Sequence, residues 1–478
     1  MSFVNEARSF LKKIINLDHT HFKFPLVEAN AASIAIYYLQ KALSSQSYGN
    51  ARRSIFWKTL WIIKEFIFSY INLFFINNRF KKKCDYLFIC NVLRHYDVIS
   101  PIIKKILEGE KNVSIIVLTR IPKNNFKSFF SPQVSFVDWS DLRGIKYFNN
   151  LIFKLIKIRK PKMKTTILSN AFFQWYSFNL LKSARAISIA EISIDLFQPK
   201  KIIVTDVSDY ESKCFSLIGR DKNIPSICIQ YGMLSHLDSE WSFFSQDAVA
   251  VFDKEAFSKL KSFGIPSSKI FITGNPRFDN YKNDISVRKK TRAQLNLNDK
   301  TPLILFISIP SSNNTLGSVE SIISESQYTR VLESIYSLDN HENKWRMIIR
   351  YHPEENIELH EKFEIDNFII NPTCNIYELL NACDLVISLH STVGLEAIIL
   401  DKPLLLIDYY NTELVDYAKR GAALKVQYPD ELEKAVQKLL YDKKERKKLA
   451  PKRMIYRNDS NLNNFNSADN CARLIRSL

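Results

Sequence analysis

Glycine is scarce in this chain, ten residues in 478, and the sixteen prolines follow no period. Collagen-like and low-complexity designs are therefore excluded. No segment recurs at a solenoid or propeller period. Seven cysteines, at 84, 90, 214, 228, 374, 383 and 471, form no CxxC pair and join no histidine cluster. Neither a metal site nor a secreted disulfide framework is indicated, and the set reads as reduced, cytosolic thiols. The start, MSFVNEARSFLKKIINL, lacks the unbroken apolar core of a signal peptide. The oiliest stretch, SIFWKTLWIIKEFIFSYINLFFINN (54–78), is interrupted by Lys58, Lys64 and Glu65, charges that are costly in hydrocarbon. It reads as an aromatic, basic helix lying in a membrane interface or as a helix packed on the main body.

Acid is the other shortage: 67 basic residues face 49 acidic ones, a net charge of +18. Such an excess favours anionic partners, whether nucleic acid, anionic lipid or a phosphate-bearing substrate. The charge is uneven. Arg52, Arg53, Lys58, Lys64, Arg79, Lys81, Lys82 and Lys83 stand against Glu65 alone, and KYFNNLIFKLIKIRKPKMK (146–164) carries seven basic residues and no acid. Both runs interleave charge with large apolar side chains, as a membrane-facing surface does; a solvated face is the plainer alternative. No RNA- or DNA-reading motif accompanies the charge, so nucleic acid is not expected as a partner.

With 46% hydrophobic residues the chain can bury large cores, and its length suits two domains. Residues 1–83 read as helical, with LVEANAASIAIYYLQKAL keeping one apolar face. From there, short apolar runs alternate with helical segments: DYLFICN (85–91), VSIIVLTR (113–120), KIIVTD (201–206), PSICIQYGM (225–233), DAVAVFD (247–253) and KIFITGNPRFD (269–279). Polar residues 280–300 read as a linker. A second series follows in PLILFISIP (302–310), WRMIIRYHPEEN (345–356), NFIINPT (367–373), DLVISLH (384–390) and PLLLID (403–408). The expected organisation is a helical segment 1–83, possible as a membrane anchor, an α/β domain 84–285, a second α/β domain 286–430 and terminal helices 431–478. Two successive α/β domains imply a cleft between them.

Three segments carry chemistry. In SLHSTVGLEAIILD a buried strand runs into a helix, so that Ser391 and Thr392 fall at the helix start, where hydroxyls, free N–H groups and the helix dipole favour a phosphate. Gly394 permits close approach to the backbone, and Glu396 is placed to meet ribose hydroxyls. An ordinary helix cap is the local alternative. In RYHPEEN, Pro353 holds His352 extended at the end of a strand on the same edge of the same sheet. In TGNPRFD, Asn275 and Arg277 can reach a donor or an acceptor, while Ser311 of ISIPSSNN can add a hydroxyl near a diphosphate. For proton removal, Asp209 of TDVSDYES is preferred and His95 of NVLRHYD comes next, with Asp206, Glu211 and Asp97 nearby. No DxD-like metal site stands out, and no cofactor is expected.

RYHPEEN and SLHSTVGLEAIILDKPLLLID, preceded by ITGNPRFD and IQYGM, resemble the GT-B capsule and lipopolysaccharide glycosyltransferases. The resemblance is nearest to the group of capsular Kdo transferases and CDP-glycerol glycerophosphotransferases, and it covers roughly residues 85–430. It implies two Rossmann-like domains facing a cleft, with His352, Ser391 and Thr392 on the donor phosphate and Glu396 on the ribose. Where relatives have QHG, this chain has Gln230, Tyr231 and Gly232, and no acid stands eight residues before Glu396, which favours inversion. The implied function is transfer of a sugar from a CMP-, UDP- or CDP-linked donor to a glycan or lipid-linked acceptor. It would take place in the cytoplasm, at the inner face of the plasma membrane, and without a metal. Alternatives that keep the fold are a CDP-polyol phosphotransferase and a nucleotide-sugar 2-epimerase.

Overall fold

The computed structural model describes residues 28, 63–67, 83–122, 126, 131–157, 167–207, 209–232, 234, 241, 244–309, 323–339, 344–352, 355, 357–363, 368–413, 415–460, 462 and 466–478. The expected helical segment 1–83 lies almost wholly outside them. The chain divides into two compact units. The first comprises Met1–Tyr231, Leu237–Arg277 and Asn466–Leu478, and the second Gly232–His236 and Phe278–Phe465.

The first unit is built on β1 (Tyr86–Cys90), β2 (Ile115–Thr119), β3 (Val134–Asp138), β4 (Lys201–Val204), β5 (Ser226–Ile229), β6 (Ala248–Val251) and β7 (Ile270–Ile272), in the order β3-β2-β1-β4-β5-β6-β7. Every pair is parallel. Strands such as YLFIC and AVAV are buried on both faces, as a parallel sheet covered by crossover helices requires. The chain order reverses between β1 and β4, which makes the carboxyl ends of these two strands the usual ligand edge of such a sheet.

The second unit contains β8 (Leu303–Ile307), β9 (Arg346–Arg350), β10 (Phe368–Ile370), β11 (Leu385–Ser388), β12 (Leu404–Ile407) and β13 (Leu424–Val426). Their order is β10-β9-β8-β11-β12-β13, again all parallel, with the switch between β8 and β11. The expected α/β class with two Rossmann-like sheets is therefore the observed one.

Three features differ from the sequence expectation. The polar stretch 280–300 is not a free linker: it holds the helix Ile285–Gln294, capped by Asp284, whose side chain accepts from Ser286 and Val287 N–H groups. Arg292 explains why so polar a helix is fixed. Its guanidinium is buried and donates to Asn298 O (2.8 Å), Ala382 O (2.8 Å) and Thr301 O, and it lies 3.4 Å from Asp384 Oδ2. The division consequently falls at 277–278, where the sequence suggested 285–286. Lastly, the terminal helices part company. Leu432–Tyr441 and Lys443–Asp459 belong to the second unit, whereas Ser467–Ser477 packs Cys471, Ala472 and Ile475 into the first core. Lys201 Nζ caps that last helix through the carbonyls of Ile475 (2.6 Å) and Arg476 (2.7 Å), and Arg476 pairs with Glu110 at 2.9 Å.

Truncating Arg292 to alanine removes the donor to the Asn298 and Thr301 carbonyls, and one of the donors to Ala382 O and Asp384, which keep Arg288. We expect Arg292→Ala to destabilise the second unit by about 3 kcal/mol, within the range for breaking one side of a buried charged network. A chemical denaturation midpoint indistinguishable from wild type would show that the helix is not held this way.

Candidate functional site

Ser388 ends β11, and Ser391 is the N-cap of the helix Thr392–Ile399, with its Oγ accepting from Val393 N–H at 3.2 Å. The cap geometry expected for Ser391 and Thr392 is thus present, and the first turn faces the carboxyl edge of the sheet at the β8/β11 switch. Ser388 Oγ is fully buried and, among the described residues, has no hydrogen-bond partner.

His352 follows β9, one strand beyond β8, so roughly 10 Å of sheet separates the two polar strand ends. Ser308, immediately after β8, bridges part of that gap: its Oγ accepts from His352 N–H at 2.7 Å. The Ser308 hydroxyl in turn donates to Glu355 Oε2, which also accepts from His352 N–H at 3.0 Å. Glu355 Oε1 receives the Tyr328 hydroxyl and His360 Nε2–H, both at 2.6 Å. With Nε2 donating, His360 Nδ1 is left to accept from the Tyr336 hydroxyl at 2.7 Å. Burial, reinforced by the Glu355 charge, pushes the Tyr328 phenol well above its ordinary pKa, so it remains a donor. A buried carboxylate with all its lone pairs occupied therefore clamps the turn that carries His352. The sequence segment RYHPEEN contains this glutamate, but its role was invisible without Tyr328 and His360, which come from other elements. Pro353 and Ser311 lie outside the described residues.

Two residues assigned to the donor have other surroundings. A Cβ on Gly394 would meet the Tyr417 ring at 2.7 Å and Leu404 at 3.6 Å, so the glycine is required by core packing rather than by an approaching ligand. Glu396 falls in the second turn of its helix, not the first. It is buried and accepts from the Tyr281 hydroxyl at 2.8 Å.

In the first unit the switch point gathers a second polar group. Asp209 is the N-cap of the helix Tyr210–Asp221 and accepts from Glu211 N–H (3.1 Å), Ser212 N–H (3.2 Å) and Ser212 Oγ (2.9 Å). Across the switch, Asn91 at the end of β1 donates to it from Nδ2 at 2.7 Å. Burial first, then the neighbouring Asp206 charge, raises the Asp209 pKa against these donors and His95. His95, in the first turn of the helix Leu93–Gly109, is buried with its ring 4.7 Å from that of Tyr231. Burial depresses its pKa against the pull of Asp206 and Asp209, leaving a neutral imidazole at pH 7. Its Nδ1 is buried without a hydrogen-bond partner among the described residues, as are Asn91 Oδ1 and Thr205 Oγ1.

Asn275 and Arg277 follow β7 in the same unit. Asn275 Oδ1 accepts from Arg277 N–H at 3.1 Å, and its buried Nδ2 lacks a partner among the described residues. The Arg277 charge acts on Asp97, opposing the rise that crowding imposes on that carboxyl. Gly274 is needed for its positive φ of 83° and for its contact with Ser467 of the last helix. Among the described residues no three His, Cys, Asp or Glu side chains gather as metal ligands would, and no helix is long and apolar enough to cross a membrane.

A family model described as UDP-N-acetylglucosamine 2-epimerase matches residues 246–466. No curated protein matches the sequence. Among solved structures, the chain is similar to the UDP-GlcNAc 2-epimerase from Neisseria meningitidis bound to UDP-GlcNAc, at 14% identity and a TM-score of 0.57, covering 82% of this chain and 100% of that one. It is similar also to the wall teichoic acid polymerase TagF soaked with CDPG (15% identity, TM-score 0.51, 88% and 96% covered). The S. aureus MnaA–UDP co-structure gives 16% identity and a TM-score of 0.51, covering 81% and 94%. The fold of the chain is that of the GT-B class.

The Glu355 clamp makes a direct prediction. Tyr328→Phe deletes one donor to a buried carboxylate and should cost about 2 kcal/mol. That corresponds to a fall in Tm of roughly 4–8 °C for a unit of this size. An unchanged Tm in a scan of the purified variant would remove Tyr328 from the clamp.

Proposed function

We propose that the protein is an inverting, metal-independent glycosyltransferase that moves a sugar from a nucleotide-activated donor to a surface-polysaccharide acceptor, capsule or lipopolysaccharide. The second unit holds the donor. The observation that carries this reading is the pair of polar strand ends flanking β8: the His352 turn fixed by Ser308 and Glu355, and the Ser391–Thr392 helix start. A helix N-terminus and an oriented histidine stabilise the leaving nucleotide phosphate as the glycosidic bond breaks. Structural likeness to proteins solved with UDP-GlcNAc, UDP and CDPG supports a nucleotide at that edge.

The first unit supplies the base. Asp209 has its oxygens engaged by four donors, whereas His95 is neutral with an unengaged Nδ1, so the geometry favours His95 as the group that takes the acceptor proton and Asp209 as its electrostatic partner. Contact with anionic lipid at the inner membrane face belongs to the same reading, supported by the basic, aromatic runs.

The matching epimerase family favours a second reading, a nucleotide-sugar 2-epimerase. The match takes in β6, β7 and the second unit but leaves out β1 to β5, which carry Asn91, His95 and Asp209. The two readings therefore share a nucleotide site and differ in the chemistry of the first unit. An epimerase converts the nucleotide sugar with no acceptor added.

Thermal-shift measurement against CMP, CDP, UDP and GDP should show stabilisation by at least one of them, because a ligand bound only by the folded state raises Tm. No rise with any nucleotide would sink both readings. Ser391→Ala and His352→Ala should each lower turnover about a hundredfold while the protein stays folded. The pH dependence has a definite sign. His95 has its pKa depressed by burial, so kcat/KM should be level near neutrality and fall only below about pH 6.5, as the imidazole gains its proton. An acid limb that survives unchanged in His95→Gln would assign the base elsewhere.

A further inference from the structure

We infer that the first unit carries an anion site, suited to a phosphate or pyrophosphate group and built by Arg120, Arg143 and Arg185. The proposal rests on the transferase reading in one respect: it assigns the anion to the acceptor.

The three arginines come from three elements. Arg120 follows the last residue of β2, Arg143 ends the short helical turn Trp139–Leu142 after β3, and Arg185 lies on the helix Ile167–Phe197. Two of them are fixed in place. The Arg120 guanidinium lies 4.7 Å over the Trp139 ring and contacts Glu211, whose Oε1 also accepts from the Tyr210 hydroxyl at 3.0 Å. Arg143 Nη1 is 3.5 Å from Glu65 Oε1, and Glu65 Oε2 accepts from the Tyr147 hydroxyl at 2.9 Å. The Arg185 charge acts on both other arginines and on Tyr147 and Tyr210, so the three charges lie within electrostatic reach of one another.

The donors here outnumber the acceptors. Each guanidinium offers five N–H groups, and two glutamates already shared with tyrosines answer them. The carboxylates of Asp138 and Asp209 also act on Arg143 and Arg120, but both are engaged as helix caps. Among the described residues, the buried Nε atoms of Arg143 and Arg185 have no hydrogen-bond partner. Guanidinium groups supplied by three separate elements suit a tetrahedral oxyanion; a planar carboxylate is satisfied by one fork. The location is functional as well. Arg120 and Arg143 stand at the carboxyl edge of the first sheet, and the Arg120 charge reaches Asp209. Beside Arg143, the helix Ile145–Lys157 exposes Phe153 and Ile156, and Phe66 packs on Phe148 while half exposed. An apolar chain attached to the phosphate has a surface to lie on.

The test is calorimetric titration of the full chain with inorganic pyrophosphate and with decyl phosphate below its micellar concentration. Both should bind, and Arg185→Gln should weaken each at least tenfold. Arg185→Lys, which keeps the charge without the fork, should recover part of the loss. The nucleotide-dependent rise in Tm should survive in both variants, which shows the protein folded and the donor side intact. Tighter binding of decyl phosphate than of pyrophosphate, with the same Arg185 dependence, supports an amphiphilic acceptor; equal or weaker binding supports the site with a water-soluble one. Undiminished binding in Arg185→Gln overturns the proposal, and so does binding lost only in Ser391→Ala, which moves the anion to the second unit. If no nucleotide stabilises the protein yet Arg185-dependent anion binding persists, the transferase reading fails and the anion site stands.

Discussion

Parallel pairing of every strand is the constraint from which the chemistry of this protein follows. Strands that run the same way need crossover helices on both faces, and the covered strands can then carry little but apolar side chains. LILFI, LVIS, LLLI and YLFIC meet that demand. Polar groups are forced to the strand ends, and parallel direction puts all the carboxyl ends of one sheet on one edge. Each sheet reverses its chain order once, between β1 and β4 and between β8 and β11, and each reversal opens a place where two of those ends are free of the same crossover.

The two switch points use their polarity differently. Beside β8 one carboxylate is saturated: Glu355 has Ser308, Tyr328, His360 and the His352 N–H around it, while Ser388 Oγ at the end of β11 has no partner among the described residues. Rigid donors aimed at a leaving phosphate need no reorganisation when charge develops, which is where most electrostatic catalysis originates. At β1/β4 the opposite holds. Asn91, His95 and Thr205 keep buried polar atoms without partners among the described residues, and two aspartates together pull the pKa of one histidine up against the burial that depresses it. An incompletely satisfied cluster is expensive to maintain in a fold and is characteristic of a place where a proton is exchanged.

Much of the architecture was legible in the sequence because buried parallel strands are short, apolar and bounded by helical segments. What escaped reading has a common cause. β3 and β13 are edge strands, VSFVD and LKV, paired on one side only and too weakly patterned to announce themselves. The helix Ile285–Gln294 looks like linker because Arg288 and Arg292 fix it to Ala382 and Asp384, some ninety residues away in the chain. The same distance effect governs the sites. Ser391 was readable as a cap, since its partner is Val393, two residues on. Glu355, Tyr328 and His360 were not, since only the fold brings them to one carboxylate. Gly394 misled for a related reason: a glycine beside a helix start suggests a ligand, and nothing local reveals Tyr417 behind it.

The cap at Ser391 also bears on how the proposed donor site would be selective. The Ser391 oxygen accepts from Val393 N–H, which leaves the hydroxyl hydrogen available beside an oriented helix start. A helix dipole attracts any anion and discriminates little among nucleotides. Discrimination must therefore come from groups that touch the base and the sugar, and those groups need not resemble one another in proteins that share this edge. That is consistent with one fold carrying proteins solved with UDP-GlcNAc and with CDPG at 14–15% identity to this chain. Under the proposed reading, the helix start of the second unit would be what such proteins share, and the polar group of the first unit what differs between them.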